Sequence, residues 1–257
     1  MKIEGASVLV TGANRGLGKA FVEELLLRGA ALIHASGRDL ESLEAVSALD
    51  RDRIRPVPLD VTDAVGIQEL AADTPTLDVL INNAGVDCPV PILGGDDMAD
   101  LRRAMEVNYF GVLNMSRAFA PVLARSQASA IINLGSMAGF IHVADNTGYS
   151  ASKAAQLMLS QGLRGQLAGQ GTQVLQVLPG FIDTDMGARF PMPKASARSV
   201  AAAALDALEA GEDLVLPDVF ARMSYDAFVD RPDEVMRKPE AVIGALVQRL
   251  MASQPAT

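Results

Sequence analysis

Short apolar runs alternate along the chain with longer segments in which apolar side chains recur every three or four residues. The runs fall near residues 7–11, 31–36, 54–59, 77–82, 129–134, 173–178 and 212–216. Too short for helices and apolar at most positions, they predict strands buried on both faces, and the periodic segments between them predict helices. This alternation predicts an α/β, doubly wound fold: one parallel sheet with helices on both faces. No internal repeat or low-complexity linker divides the chain, so residues 1–257 are expected to form a single domain. Beyond the last strand, residues 233–251 carry an apolar stripe of Val235, Val242, Ile243, Leu246 and Leu250. That stripe must be covered, by its own chain or by a neighbouring subunit. Residues 252–257 are expected to be disordered.

Composition narrows the chemistry. A hydrophobic share of 49% with 21% charged residues is that of a globular protein. With no unbroken apolar run of about 18 residues and no charged-then-apolar leader, the expectation is a soluble cytoplasmic protein without a membrane partner. A net charge of −9 argues against nucleic acid and anionic membranes, which demand a basic patch. Cys88 is the only cysteine, and His34 and His142 are the only histidines. Thiol redox chemistry and a Cys- or His-rich metal site are therefore excluded, and no metal is expected. His34 lies in a strand-like run and reads as a structural, hydrogen-bonded histidine.

Two motifs carry chemistry. Ser7-Val8-Leu9-Val10 leads into Thr11-Gly12-Ala13-Asn14-Arg15-Gly16-Leu17-Gly18 and then a helical pattern to Arg28. Strand, glycine turn and helix make a phosphate-binding layout, because glycines admit a close pyrophosphate and the helix start offers free N–H groups and a positive dipole end. The spacing Gly-x-x-x-Gly-x-Gly departs from the commoner Gly-x-Gly-x-x-Gly fingerprint. Further on, Tyr149 and Lys153 stand at i and i+4 on one helix face. A free phenol titrates near pH 10, and a cation within roughly 4 to 6 Å favours the phenolate. Lys153 is therefore expected to draw Tyr149 towards working pH, where it can exchange a proton with a carbonyl.

These motifs, with Asn82-Asn83-Ala84-Gly85 after the run 77–81, Asn108, Ser136, Leu178-Pro179-Gly180 and Thr184, resemble the short-chain dehydrogenase/reductase family in order and spacing over residues 6–185. The resemblance implies a Rossmann sheet of seven strands ordered 3-2-1-4-5-6-7, with ligands at the edge where that order reverses. It implies that Tyr149 is general acid for ketone reduction and, as phenolate, general base for alcohol oxidation. Lys153 tunes that phenol and donates to the nicotinamide ribose, and Ser136 bonds the carbonyl oxygen as charge develops there. Asn108 is similar to the residue holding a water in a proton path, although by its residue type it reads equally as a helix-surface or capping amide. Asp60, with Val61, matches the adenine-binding position; by itself Asp60 reads as a turn or N-cap residue. Asn83, Ala84 and Gly85 line the cofactor, while Pro179, Gly180, Ile182 and Thr184 border the nicotinamide.

Cofactor choice is read at the end of the second strand, where an acid about 20 residues beyond the glycine turn would bind a ribose 2′-hydroxyl. Here the family's acid position aligns with Gly37, followed by Arg38, while Asp39 reads as a helix N-cap. Together Arg38 and Arg15 favour NADP(H) over NAD(H). Residues 86–96, 137–148 and 181–194 are three loops free to shape a substrate pocket. Phe140, Ile141, Met186 and Phe190 make such a pocket apolar or else anchor the loops, and His142 is a further polar contact. Small carbonyl or alcohol substrates are expected, and the family resemblance implies a homodimer or homotetramer through helices near 98–124 and 149–168. Rival readings are a non-catalytic NADP(H)-binding sensor or scaffold, an NAD(H)-dependent alcohol dehydrogenase of the same fold, and an epimerase or dehydratase in which hydride transfer is one step.

Overall fold

Strand residues alternate between two cores. In the computed structural model, which describes residues 1–93 and 98–252, Val8, Val10, Val79, Ile81, Ile132, Leu175 and Val177 point to one side and Leu9, Leu80, Ile131 and Val174 to the other. Successive strand side chains face opposite ways, so a strand apolar at every position must be covered twice. The chain runs β1 (Ser7–Thr11), α1 (Gly16–Leu27), β2 (Leu32–Gly37), α2 (Leu40–Ser47), β3 (Ile54–Pro58), α3 (Ala64–Asp73), β4 (Val79–Asn82) and α4 (Met98–Met105). It continues through α5 (Val112–Leu123), β5 (Ala130–Leu134), α6 (Thr147–Leu167), β6 (Gln173–Val177), β7 (Ile182–Asp183), β8 (Ala195–Ser196), α7 (Ala197–Ala210), β9 (Leu214–Val215), α8 (Val219–Asp230), α9 (Pro232–Arg237) and α10 (Pro239–Ala252).

The expected sheet is present, all parallel, in the order β3-β2-β1-β4-β5-β6-β9. Helices α1, α2 and α7 cover the first core and α3, α5 and α6 the second. Helix starts follow local chemistry: Asp39 accepts from Ser42 N at 2.8 Å, Asp63 from Val65 N and Gly66 N, and Ser196 from Ser199 N. Helix α7 stops at Gly211, whose φ of +79° suits glycine.

Three details differ from the pattern read along the chain. Residues 98–123 form one rod interrupted by a π-helical turn at Glu106–Gly111. A wider turn of this kind re-aims the side chains it carries, Asn108 among them. A short parallel pair, β7 with β8, closes the segment read as a free loop at 181–194. The C-terminal helix is two helices, because Pro239 pushes Lys238 out of helical geometry (φ −141°, ψ 52°).

The apolar stripe is covered by its own chain. Val235, Val242, Leu246 and Leu250 are buried, with Ile243 packed alongside, in a third core containing Met137, Ile141, Phe181 and Phe220. Each fully buried side chain of this kind contributes roughly 1.5 to 3 kcal/mol, enough to dock the extension beside the sheet's carboxyl edge. His34 is half-buried, and burial, with Arg55 alongside, holds its pKa below the usual value. The expectation for 253–257, like that for the stretch 94–96 of the first loop, lies outside the described residues.

Candidate active site

At the carboxyl edge of β1, β2, β4, β5 and β6 lies a cleft of about 630 Å³. At one end the backbone itself is the lining. Gly12 and Gly16 have φ of +64° and +53°, and a Cβ on Gly18 would sit 2.0 Å from the Gly12 carbonyl oxygen. Only glycine fits there. Thr11 and Asn83 pin this turn to β4: Asn83 N and Ala84 N donate to Thr11 Oγ1 at 3.0 Å, and Asn83 Nδ2 donates to Thr11 O at 2.9 Å and Gly12 O at 3.1 Å. Asn82 is structural, donating to Asn133 Oδ1 at 2.9 Å and Ser116 Oγ at 3.3 Å. No side chain caps α1 and no acid stands in its first turn, so its positive end faces the cleft.

Beyond the turn, Gly37, Arg38, Asp60 and Val61 line the same cleft. The Asp39 carboxylate caps α2, as expected. Burial works to raise the pKa of Asp60, but the N–H and hydroxyl of Thr62 and the charges of Arg38 and Arg103 outweigh it and leave the carboxyl below its ordinary value. Arg15 forms an ion pair with Asp185 at 2.7 Å across the mouth of the cleft.

At the other end Ser136 sits just beyond β5, Tyr149 in the first turn of α6 and Lys153 one turn later. Ser136, whose Oγ accepts from Ala138 N at 3.1 Å, lines the cleft together with Tyr149. Lys153 is 4% exposed and donates to Leu134 O at 2.7 Å and Gln156 Oε1 at 3.1 Å. Its nitrogen lies 5.7 Å from the centre of the Tyr149 ring. The expected depression of the phenol is not met here. Burial pushes Tyr149 up to about 12, the Ser136 hydroxyl working against it and the Asp87 charge adding to it, while burial pushes Lys153 down to about 7. Desolvation disfavours both charged forms and exceeds what the pair exchanges.

The family model for short chain dehydrogenases matches residues 6–194. The chain belongs to that family. It is 34% identical over 190 residues to the 3-oxoacyl-(acyl-carrier-protein) reductase of Haemophilus influenzae, an alignment spanning 72% of this chain and 77% of that protein. Among solved structures it resembles a short chain dehydrogenase from Burkholderia cenocepacia in complex with NADP, at 38% identity and a TM-score of 0.86, covering 99% of this chain and 100% of that one. It also resembles an NADPH-bound carbonyl reductase from chicken fatty liver, at 29% identity and a TM-score of 0.73, covering 80% of this chain and 91% of that one.

In this short-chain dehydrogenase the cleft gathers every residue expected to hold the cofactor: Gly12, Asn14, Arg15, Gly16, Leu17, Gly18, Gly37, Arg38, Asp60, Val61, Asn83, Ala84, Gly85, Tyr149, Lys153, Pro179, Gly180, Ile182 and Thr184. Of the residues expected to meet substrate, Ser136, Tyr149, Met186 and Phe190 line it as well. Two do not. Phe140 turns away to stack on Tyr225 and Phe228 of α8, and His142 Nε2 pairs with Thr147 Oγ1 at 2.9 Å. Residues 137–139 form a tight turn against α6, after which Phe140 and Ile141 pack into the third core with the C-terminal helices. Asn108 also lies behind the cleft. Its Nδ2 donates to Val86 O and Ser152 Oγ while its Oδ1 accepts from Val86 N, so its amide holds the β4 loop to α6.

Sequence reasoning missed Asp87, Asn146 and Arg103, which also line the cleft. Asp87 follows Asn82-Asn83-Ala84-Gly85 by two residues, a proximity that was readable. Arg103 stands on α4, and only the packing of the rod brings it to Asp60.

Proposed function

We propose that this short-chain dehydrogenase transfers hydride between NADP(H) and a small carbonyl or secondary alcohol substrate, with Tyr149 as acid and base and no metal. The observation that carries this reading is the placing of the half-buried Tyr149 phenol with Ser136, one helical turn from Lys153, in the cleft that begins at the glycine turn. The residues fit the cofactor. A chain that excludes any Cβ at Gly18 and leaves the start of α1 uncapped suits a pyrophosphate, and Arg38 beside a side-chain-free Gly37 suits a 2′-phosphate better than a 2′-hydroxyl. Lys153, Asn83, Gly180 and Thr184 would hold the nicotinamide half. That ring supplies or receives the hydride.

The protein's part is orientation and proton traffic. Tyr149 keeps its proton at neutral pH and donates it to the carbonyl oxygen as that oxygen gains charge; Ser136 donates a second hydrogen bond and lowers the cost of the developing alkoxide. In oxidation the phenol must first lose its proton, so alcohol turnover is expected to rise with pH. The apolar lining of Met137, Ala138, Val143, Phe181 and Phe190 excludes water around the reacting carbon.

The test is NADPH consumption across a panel of ketones, aldehydes, quinones, steroids and sugars, followed by Tyr149→Phe on whichever is turned over. The variant is expected to lose roughly 10²- to 10⁴-fold in kcat while binding NADPH with unchanged affinity. Near-full kcat in that variant overturns the role of Tyr149. NADPH binding without turnover of any compound favours a sensor.

A further inference from the structure

The three loops at the substrate end meet on one carboxylate. Asp87, in the loop after β4, accepts from Asn146 Nδ2 at 2.6 Å through Oδ1 and pairs with Arg189 at 3.0 Å through Oδ2. Asn146 closes the loop before α6, and Arg189 belongs to the segment between β7 and β8, where its guanidinium stacks 4.6 Å over Phe190. Asp87 and Asn146 line the cleft with Tyr149, and Arg189 stands behind them.

This contact is made at a local cost. Asn146 occupies the N-cap of α6, where an asparagine side chain ordinarily accepts from the helix's first N–H groups for about 1 kcal/mol. Here it caps nothing. Its Nδ2 is committed to Asp87, and its Oδ1 is buried without a hydrogen-bond partner. The preceding residue, Asp145, is the one non-glycine position with positive φ, +56°, among the described residues. A forgone cap, an orphaned amide oxygen and a left-handed residue all converge on holding Asp87 in place. Local cost concentrated in this way motivates a functional reading of the contact.

We propose that Asp87 is a positioning residue of this site: its carboxylate ties the three loops around the carbonyl end of the cleft and sets a negative charge, tempered by Arg189, beside the Tyr149 hydroxyl. The proposal rests on the reading of Tyr149 as acid and base. The charge of Asp87 already contributes to the upward push on that phenol. Other titratable or charged groups stand around the same cleft: Lys153 on the helix of Tyr149, His142 paired with Thr147 near the start of that helix, and, further along, Arg103 on α4 and the Arg15–Asp185 pair. Asp87 and Arg189 differ from these in forming a contact of opposite charges within the tie that joins the three substrate-end loops. The consequence is a site biased towards proton donation, and so towards carbonyl reduction.

That opposition supplies the test. Asp87→Asn and Arg189→Met break the same contact, but one removes the negative charge near Tyr149 and the other unmasks it. The chain has three tyrosines and no tryptophan. Carbon-13 NMR of labelled tyrosine in the NADP⁺ complex, with Tyr149→Phe assigning the signal, therefore follows Tyr149 ionisation without turnover. Asp87→Asn is expected to lower the midpoint and Arg189→Met to raise it, each by about half a unit or more. The alkaline limb of alcohol oxidation should move the same way. Midpoints that coincide with the parent's, or that move in one direction together, overturn the proposal and leave Asp87 a simple loop tie. Should Asp87→Asn fail to fold, Arg189→Met decides alone, since loss of a structural tie does not raise the midpoint. Retained turnover in Tyr149→Phe, with the opposed shifts present, instead overturns the catalytic reading.

Discussion

Lys153 is an amine almost wholly buried at the edge of the cleft, and its stability signature follows from the sign of its shift. Its pKa falls from 10.5 in the unfolded chain to about 7 in the fold. Between those values the unfolded chain holds a proton the folded chain has released, so stability rises with pH across that window and the burial penalty is full below it. Lys153→Met should therefore stabilise the protein most near pH 6 and progressively less towards pH 10. Urea midpoints of parent and variant across that range check this, and a constant difference would show that the two acceptors keep the amine charged throughout. Cofactor preference is also decided by single residues. Arg38→Ala should raise KM for NADPH about tenfold or more relative to NADH, the value of one charge-assisted bond. Gly37→Asp should move the enzyme towards NADH, since it adds the carboxylate that binds a ribose 2′-hydroxyl and repels a 2′-phosphate; its Cβ meets side chains rather than backbone, Leu43 at 3.2 Å and Ser42 Oγ at 3.6 Å. Better kcat/KM with NADH in the parent would overturn the NADP(H) reading.

Among the elements, α8 is tied directly to the cleft. Asp218 caps it through Oδ1 on Ala221 N and, through Oδ2, accepts from Gly180 N at 2.8 Å. One carboxylate thus joins the C-terminal extension to the turn after β6 that borders the nicotinamide end. Asp218→Ala is expected to cost roughly 1 to 3 kcal/mol from the lost cap and the unpaired Gly180 N–H. Cofactor affinity should weaken with it. A denaturation midpoint and NADPH affinity both unchanged would show that the turn holds itself. Some of this was legible. Asp39 could be read as a cap because the chemistry lies within three residues; the link from Asp218 to Gly180 spans 38 and could not.

For the whole molecule, the remaining question is assembly. On the two helices expected to join subunits, Gly111 packs against Val61 and Leu163 lies in the second core, so both serve the chain's own interior. Gly162 and Gly165 face open space, in line with the exposed Met158 on α6, and Phe110 is exposed on the neighbouring rod. We infer that this stripe seats a second copy. Light scattering should give a dimer or larger at micromolar concentration, and Met158→Lys should shift it to monomer. An active monomer in the parent overturns the inference.

Local periodicity determined the strands and helices, and the glycine turn its phosphate-binding layout, because strands buried on both faces and glycine turns are imposed by a few consecutive residues; the strand order and the rest of the cofactor lining as far as Thr184 were implied by family resemblance. What faces the substrate was decided by tertiary structure. Phe140 and His142 look like pocket residues in a loop sequence, yet Phe140 packs into the third core and His142 bonds to Thr147 at the start of α6. Asn108 sits behind the wall because a π-helical turn redirects it, and Asp87 gains its importance only where two other loops, 59 and 102 residues further along the chain, converge on it. The Tyr149–Lys153 spacing likewise announced a pair of groups but not their charge states. Spacing sets which groups are neighbours; burial, a property of the whole packed molecule, sets the free energy of ionising them.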